Sequence, residues 1–449
     1  MLKNASKRVS LHMPGTQGYS PFSRINPYRL DTTEIACTDD LYHPFSAIID
    51  AETAISKEAH SAHTIMLTGG STAGIHAMLR YTFNPGDTVI FSRNVHISAI
   101  HSAINFSLNV VFLPHDITSP NSFSLSSVEK IIRSHPEAKG LLVVRPDYFG
   151  NSPDLSPVIT LCHEKGLLVL VDEAHGAHFN WLSTPASAVA LGADLVVQSA
   201  HKTLPALTGC AWLHSSDAID SERLRYCLRM VQTSSPPFLL LMSLDDARAY
   251  MQYKGVPALN KLSKAIIEFE SKAGQLGYPS AKPTDIPTDP VRVVLHAPQG
   301  GFLLMEQLAS QGLDVEMADE TRIVCILSLM DGAKRLKRLF HALKRIPPTA
   351  NTVLPLPPPP EITPIRSYPL AKAAFLPCES VPLEESLDRI VASQIGLYPP
   401  GIALLSAGEV MNKPLLSYLQ ALPPERIFGL NNNCIKVVVK EFNHESISL

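Results

Sequence analysis

Short apolar runs recur between residues 60 and 215, and each run ends in polar or small residues. The seven runs are HTIMLTGG, DTVIFSR, NVVFLPH, GLLVVRPD, LLVLVDEA, DLVVQSAH and CAWLHS. Most are continuous rather than alternating in polarity, which is typical of strands that are covered on both faces. Because the spacers between most runs are long enough for helices, the pattern predicts an α/β fold with a doubly wound, mainly parallel sheet.

One spacer is too short for a helix. Only TLPALTG separates the run ending near His201 from CAWLHS, so these two strands are expected to be antiparallel neighbours in a mixed sheet. Ligands of such sheets bind at the carboxyl ends of the strands. The clusters expected to meet there are TGGST, SRNVH, RPDYFG, DEAH and SAHK.

The rhythm of strand and spacer weakens after about residue 240, where the pattern predicts a smaller α+β region. The stretch VLPLPPPP is too rich in proline for a helix or a sheet interior and predicts an extended connector. The expected organisation is an N-terminal arm (1–50), a large domain (51–250), a small α+β region (251–350), a proline-rich linker (351–360) and a C-terminal domain (361–449).

Composition narrows the class of ligand. The 449 residues are 45% hydrophobic and 18% charged with a net charge of −3, so no basic footprint points to nucleic acid and a small-molecule substrate is expected. Seven separated cysteines without a CxxC pair favour reduced thiols and a cytoplasmic location. Neither a signal peptide nor an apolar run long enough to span a membrane is recognised, so no membrane association is expected.

Lys202 ends an apolar strand in the stretch SAHK, and a buried lysine needs a partner, neutralisation or covalent use. Burial lowers the pKa of the amine and suits it to a Schiff base with a carbonyl cofactor. The alternative is a surface lysine in a turn.

The run VDEAHGAH places Asp172 at the end of another strand, where a carboxylate can keep a pyridine nitrogen protonated. Ala174 would lie flat against the pyridine ring of such a cofactor. His175 would hydrogen-bond to the phenolic oxygen of that ring or to the cofactor phosphate. A helix N-cap is the alternative for Asp172. The acidic and histidine residues of this run are also possible zinc ligands, but HEXXH is absent and no metal is expected.

Two more strand ends offer cofactor contacts. The run LTGGSTAGIHAML passes through Gly70, Ser71 and Thr72 into a helix pattern, which makes an anion site from backbone amides and the helix dipole. A plain N-cap is the alternative there. In SRNVHISAIHSA, His96 could stack on an aromatic cofactor, whereas a structural or exposed histidine is the alternative.

Together these stretches resemble the fold-type I pyridoxal phosphate enzymes, and more narrowly the short bacterial form of the Orn/Lys/Arg decarboxylase family. The core motifs that carry the resemblance are QSAHKTLPALT, VDEAHGAHF, GGST and RNVHISA. Outside the core the similar stretches are HMPGTQG, DTTEIACTDDLYHP and LYPPGIALLSAGE. The resemblance implies a large fold-type I domain with a mixed seven-stranded sheet, a smaller α+β domain and a C-terminal domain.

The family implies roles for these residues. Lys202 would hold pyridoxal 5′-phosphate covalently, Asp172 would sustain protonation of its ring nitrogen, and His96 would stack over the ring. Catalysis would rest on these three. The cofactor phosphate would be bound by Gly70, Ser71, Thr72, Ser199 and His201.

The family also implies a homodimer with sites at the interface. The segment VQTSSPPF would reach the phosphate of the neighbouring subunit through Thr233, Ser234 and Ser235. The implied reaction is decarboxylation of lysine, arginine or ornithine to a polyamine-type amine and carbon dioxide, in polyamine biosynthesis. A carboxylate must then meet the distal cation of the substrate. Asp147, Asp39 and Asp40 are candidates by location only.

Three departures from the family pattern leave other functions open. Thr16 and Gln17 stand where the family has His-Lys, and Ile97 stands where a lysine often occurs. Asp147 occupies a position where a small hydroxyl residue is common. Another reaction on the same cofactor, such as transamination or elimination, is one alternative. A catalytically silent paralogue that binds the cofactor is the other.

Overall fold

The computed structural model describes residues 8–13, 30–35, 38–114, 123–348, 353–360, 364–399 and 401–440. Thr16, Gln17 and most of the HMPGTQG motif lie outside these residues. The strands, in chain order, are β1 (Val9–Leu11), β2 (His63–Leu67), β3 (Thr88–Phe91), β4 (Asn109–Phe112), β5 (Gly140–Val144), β6 (Leu168–Asp172), β7 (Leu195–Gln198), β8 (Ala211–Ser215), β9 (Arg292–His296), β10 (Leu313–Val315), β11 (Met317–Ala318), β12 (Arg322–Ile326), β13 (Cys378–Pro382), β14 (Ile395–Leu397), β15 (Ile402–Leu405), β16 (Ile427–Phe428) and β17 (Cys434–Val438).

The α-helices, in chain order, are α1 (Ala47–Ala59), α2 (Gly70–Thr82), α3 (Ile97–Asn105), α4 (Leu125–Ser134), α5 (Ser156–Glu164), α6 (Ala200–Thr203), α7 (Ser221–Arg229), α8 (Phe238–Tyr250), α9 (Val256–Gln275), α10 (Gly301–Ser310), α11 (Gly332–Arg345), α12 (Leu370–Ala373) and α13 (Lys413–Gln420). A π-helical turn (Met251–Gly255) joins α8 to α9 without a break. The predicted linker has neither helix nor strand over 353–360.

The seven predicted strands form one sheet in the order β2-β8-β7-β6-β5-β3-β4, which confirms the mixed, mostly parallel α/β architecture. Strand β8 is antiparallel to both of its neighbours, β7 and β2, as the short spacer predicted for β7. Strands β3, β7 and β8 are buried at every position. Their continuous apolar runs therefore reflect cover on both faces.

The chain divides into two compact units. The first contains the described residues of Met1–Tyr81, Arg145–Ile159 and Leu170–Pro355. Its core is centred on fully buried side chains such as Trp212. The α+β pattern that follows the large sheet forms the antiparallel sheet β11-β12-β9, and β1 pairs in parallel with β10. Helix α9 packs against α11 in this region.

Helix α2 lies very close to strand β7. A Cβ atom added to Gly74 of α2 would stand 2.5 Å from Cγ2 of Val197 and 2.8 Å from Cδ1 of Leu67. Real Cβ contacts do not reach such distances, so only glycine permits this separation of helix and strand. The close approach fixes the N-terminus of α2 relative to the end of β7.

The second unit contains the described residues of Thr82–Val144, Thr160–Val169 and Leu356–Leu449. Its C-terminal region builds the pair β13-β17 and the sheet β15-β14-β16 around an aliphatic core. A buried ion pair joins Arg93 to Glu409 through two bonds of 2.8 and 3.0 Å. Arg366 adds a third bond to Glu409 at 3.1 Å. The SRNVH segment is thereby tied to the C-terminal SAGE segment.

Candidate active site

Lys202 lies in the one-turn helix α6, immediately after the buried strand β7. Its Nζ atom stands 3.0 Å from Nε2 of His175. Burial lowers the pKa of the Lys202 amine below its ordinary value, and the charge of Arg292 lowers it further. The carboxylates of Asp172 and Glu316 oppose this shift. The amine is therefore more readily neutral, and more nucleophilic, than a surface lysine.

Asp172 is the last residue of β6, and its Cα pairs with that of Val197 on β7. The side chain is buried, with 5% of its surface exposed, and Oδ1 accepts a hydrogen bond from the Ala174 backbone at 3.1 Å. Since β6 and β7 are parallel neighbours, their carboxyl ends bring Asp172 and Lys202 within electrostatic range. Ala174 and His175, both buried, follow in the same turn.

Ser199 and His201 flank Lys202 in sequence. Ser199 is fully buried, and within the described part of the chain its Oγ atom has no hydrogen-bond partner. His201 has its Nδ1 atom 2.9 Å from the carbonyl oxygen of Cys210. Burial lowers the pKa of His201 and so favours the neutral ring. His201 thus joins the end of β7 to the start of β8.

The GGST loop enters α2 through Gly70, which has φ of +68°. The Gly70 amide donates to the carbonyl of Gly209 at 2.8 Å, which joins this loop to the segment after Lys202. The amides of Thr68 and Gly69 both donate to Oε1 of Gln232. Ser71 is half-buried and Thr72 is exposed at the first turn of the helix.

The predicted intersubunit segment is exposed at Thr233, Ser234 and Ser235. The Tyr42 hydroxyl donates to the backbone oxygen of Thr233. The Ser235 amide donates to Oγ1 of Thr233 at 3.2 Å, so the segment forms a local turn.

His96 belongs to the second unit, whereas the other predicted cofactor residues belong to the first. It is the N-cap of α3, where Nδ1 accepts a bond from the Ser98 amide at 3.2 Å. The ring is exposed, and Ile97 beside it is 42% exposed. Stacking of His96 on a cofactor stays a prediction.

The acidic residues proposed for the substrate cation are engaged elsewhere. Asp39 accepts bonds from the backbone amides of Phe45, Ser46 and Ile48, and thus caps the start of α1. Asp40 accepts from the amide of Tyr42. Both oxygens of Asp147 accept bonds from Asn151, at 2.9 and 2.6 Å.

The sequence did not point to a set of residues that lies beside the Lys202 and His175 pair. The Tyr148 ring packs edge-on against the His175 ring, with centroids 5.4 Å apart, and its hydroxyl donates to Glu316 at 2.7 Å. Arg292 donates to the backbone oxygen of Tyr148. Tyr148 lies in the flagged RPDYFG run, but Glu316 and Arg292 have no local motif that marks them.

The residue after Asp172, Glu173, belongs to a buried polar network. The adjacent Glu173 is fully buried and accepts bonds from Arg145 and Gln198, each at 2.7 Å. Burial raises the pKa of Glu173 to about 7, against the opposing effect of the Arg145 charge. Because Glu173 and Gln198 sit next to Asp172 and Ser199 in sequence, the network fixes the ends of β6 and β7.

Within the described ranges, no group of three His, Cys, Asp or Glu side chains is arranged to hold a metal ion. The Nε2 atom of His178, a metal-ligand candidate by sequence, stands 2.9 Å from Oδ1 of the buried Asp289. No helix in the described part of the chain has both the length and the apolarity required to cross a membrane.

The fold is that of the fold-type I pyridoxal phosphate enzymes. Lysine decarboxylase A from Pseudomonas aeruginosa matches with a TM-score of 0.79 at 15% identity, over 91% of this chain and 74% of that one. The Francisella novicida lysine decarboxylase matches with a TM-score of 0.77 at 18% identity, over 89% of this chain and 73% of that one.

The family follows from the sequence. The Orn/Lys/Arg decarboxylase major domain matches residues 10–282, and the C-terminal domain of that family matches residues 349–426. The Bacillus subtilis protein YaaO is 35% identical over 92% of this chain and 91% of its own length. The Bacillus subtilis arginine decarboxylase is 30% identical over 93% of this chain and 91% of its own. The chain belongs to the Orn/Lys/Arg decarboxylase family and is an amino-acid decarboxylase.

Proposed function

We propose that the protein binds pyridoxal 5′-phosphate and decarboxylates lysine, arginine or ornithine to the corresponding polyamine-type amine and carbon dioxide. The observation that carries the proposal is the environment of the Lys202 amine. Burial lowers its pKa, His175 contacts it at 3.0 Å, and the carboxylate of Asp172 lies within electrostatic range.

The residues around Lys202 fit this cofactor. The buried Ser199 hydroxyl lacks a partner among the described residues, and such a group is costly unless a ligand satisfies it. The N-terminus of α2 offers the backbone amides of Ser71 and Thr72 and a favourable dipole for a phosphate, while Gly70, whose amide donates to Gly209, forms the turn into the helix. Ser199 is proposed to share that phosphate with His201.

When bound, pyridoxal phosphate supplies an electron sink for the pair of electrons that remains when carbon dioxide leaves. Asp172 would hold a proton on the ring nitrogen, because a buried carboxylate stabilises the adjacent positive charge. Lys202 would attach the cofactor through its neutral amine. Ala174 would lie against one face of the ring, His96 is proposed for the other, and His175 would orient the Lys202 nitrogen.

Replacement of the attaching amine tests the cofactor proposal. Lys202→Ala should abolish borohydride-dependent incorporation of the cofactor, which peptide mapping by mass spectrometry would place on Lys202. Lys165→Ala, at an exposed position, should incorporate it normally. A cofactor adduct that persists at another residue of Lys202→Ala would refute the assignment.

The reaction is tested by incubating the protein and cofactor with lysine, arginine, ornithine and a broader panel of amino acids. Production of an amine with stoichiometric carbon dioxide supports the proposal. A keto acid without carbon dioxide would indicate transamination instead. Bound cofactor without turnover of any amino acid would indicate a catalytically silent member of the family.

We further propose a cytoplasmic homodimer in which Thr233, Ser234 and Ser235 contact the phosphate in the neighbouring subunit. The exposure of all three residues supports this arrangement. The six cysteines within the described ranges are free thiols, which suits a reducing compartment. A role in polyamine biosynthesis would follow from the amine product.

A further inference from the structure

Glu316 belongs to the first unit, as Lys202 does, and no sequence motif marks it as a functional residue. It lies between β10 and β11 and is half-buried. Oε1 accepts a hydrogen bond from the Tyr148 hydroxyl at 2.7 Å, and Oε2 accepts one from the Met13 amide at 3.0 Å. An ionised carboxylate has about four acceptor positions, so both oxygens can accept further bonds.

The charge of Glu316 is not matched by a neighbouring cation. Both of its hydrogen-bond donors are neutral, and within the described residues no Arg, Lys or His forms an ion pair with it. Arg292, which lies behind Tyr148, is paired with Asp289 instead, at 3.2 Å. A half-buried carboxylate without a cationic partner is able to receive one from a ligand.

Glu316 is also connected to Lys202 through neighbouring side chains. A chain of contacts joins them: Lys202 to His175 at 3.0 Å, the His175 ring to the Tyr148 ring at 5.4 Å, and Tyr148 to Glu316 at 2.7 Å. The Glu316 charge acts on the Lys202 amine and raises its pKa. Binding of a basic substrate at Glu316 then requires its side chain to extend from Lys202 past Tyr148.

We propose that Glu316 binds the distal ammonium or guanidinium of the substrate and so makes this site specific for basic amino acids. The inference rests on the proposed function, since it assumes that the α-carbon of the substrate is held near Lys202. Tyr148 orients the carboxylate through its hydroxyl. Asp147, the neighbouring carboxylate, instead accepts two bonds from Asn151, and burial raises its pKa, which disfavours the charged form that a substrate cation needs.

The test compares Glu316→Gln with wild type in the full-length holoenzyme. For each of lysine, ornithine and arginine, kcat/KM should fall by about 10- to 150-fold, the range of one hydrogen bond to a charged group. Norleucine and citrulline, which lack the distal cation, should change less than about threefold. Equilibrium binding of the same five compounds, measured by calorimetry, should show the same selective loss.

One control variant and one further test variant accompany Glu316→Gln. Glu306→Gln alters an exposed glutamate on α10 and should leave both measurements unchanged. Tyr148→Phe keeps the ring but removes the donor to Glu316, and should raise KM for basic substrates more than it lowers kcat. Borohydride labelling of Lys202 should be normal in all three variants.

Equal losses for basic and neutral compounds in Glu316→Gln would overturn the inference, as would a retained preference for basic compounds. Loss of that preference in Asp147→Asn but not in Glu316→Gln would do the same. If wild type decarboxylates nothing yet binds basic amino acids through Glu316, the proposed reaction fails and the binding role stands. If wild type binds basic and neutral compounds equally, the binding role itself fails.

Discussion

The chemistry at Lys202 depends on the charges that surround one amine. Asp172 favours the ammonium form and raises the pKa of Lys202, whereas burial and Arg292 lower it. Nucleophilic attack on an aldehyde requires the neutral amine. In the proposed function, the site would balance the reactivity of the lysine against protonation of the cofactor ring, and both would depend on Asp172.

Asp172→Asn should separate these two effects. Without the carboxylate charge the pKa of Lys202 falls further, so cofactor attachment to the apoprotein should proceed at lower pH than in wild type. Turnover should fall by at least about a hundredfold, the scale of losing one electrostatic stabiliser. The rate of borohydride-trapped labelling against pH checks the first effect. Asp217→Asn, which alters an exposed residue, should shift neither quantity.

Ser199→Ala tests the unsatisfied hydroxyl. Because Oγ has no partner among the described residues, its removal should leave the apoprotein as stable or slightly more stable. Affinity for the cofactor should weaken by about 10- to 100-fold, if the hydroxyl binds the charged phosphate. Thermal unfolding and cofactor titration measure the two. A destabilised apoprotein with unchanged affinity would contradict the assignment.

Single residues were predictable where each followed a buried strand. Lys202, Asp172 and Ser199 each stand at the end of an apolar run, and parallel pairing of those runs brings them together. Tyr148 and Glu316 were not predictable, because their contact joins positions 168 residues apart through the tertiary fold. The carboxylates that looked suitable from location, Asp39 and Asp147, serve a helix cap and a turn.

The ends of strands β6 and β7 depend on a network of buried polar groups. Arg145, Glu173 and Gln198 meet in the protein interior, where each is almost fully buried. Such a network is stable only while every member is satisfied. The protonation state of Glu173 therefore bears on the stability of the whole sheet.

We expect a pH dependence of stability that belongs to Glu173. Burial raises its pKa from 4.5 to about 7, so the folded state holds this proton more tightly than the unfolded state does. This difference adds about 3 kcal/mol to the free energy of unfolding at pH values below 4.5. The added stability is lost as the pH rises through about 7. Urea unfolding across this range should show that slope in wild type and in the exposed control Glu164→Gln. The slope should be absent from Glu173→Gln.

Most of the large sheet followed from the sequence because continuous apolar runs mark strands buried on both faces. The antiparallel direction of β8 was also predictable, because the spacer between β7 and β8 is too short for a helix. The parallel pairing of β1 with β10 joins residues 304 positions apart in the chain, as between Val9 and Leu313, and no local pattern encodes it. The π-helical turn at Met251–Gly255 has no sequence signal that we recognise.

The proposed dimer predicts how assemblies of two different variants behave. A Lys202→Ala subunit supplies an intact 233–235 segment, and a Thr233→Ala/Ser235→Ala subunit supplies an intact lysine. Each variant alone should be inactive or strongly impaired. Equal mixing with subunit exchange should restore roughly a quarter of wild-type activity, because hybrids contain one complete site of two.

Sedimentation analysis and activity after mixing provide the measurement. Mixing without exchange, checked by differential tags, is the control. If exchanged hybrids stay inactive, the 233–235 segment does not serve the neighbouring subunit.

The spacing between α2 and β7 has a final implication for how mutations would act on this enzyme. Any side chain at position 74 would push the helix away from Val197. It would also carry the proposed phosphate site away from Lys202, the residue proposed to attach the other end of the same cofactor. Loss of cofactor could therefore arise from a methyl group that never touches it. Searches for inactivating changes in such proteins should look for atoms gained in the interior as well as for reactive groups removed.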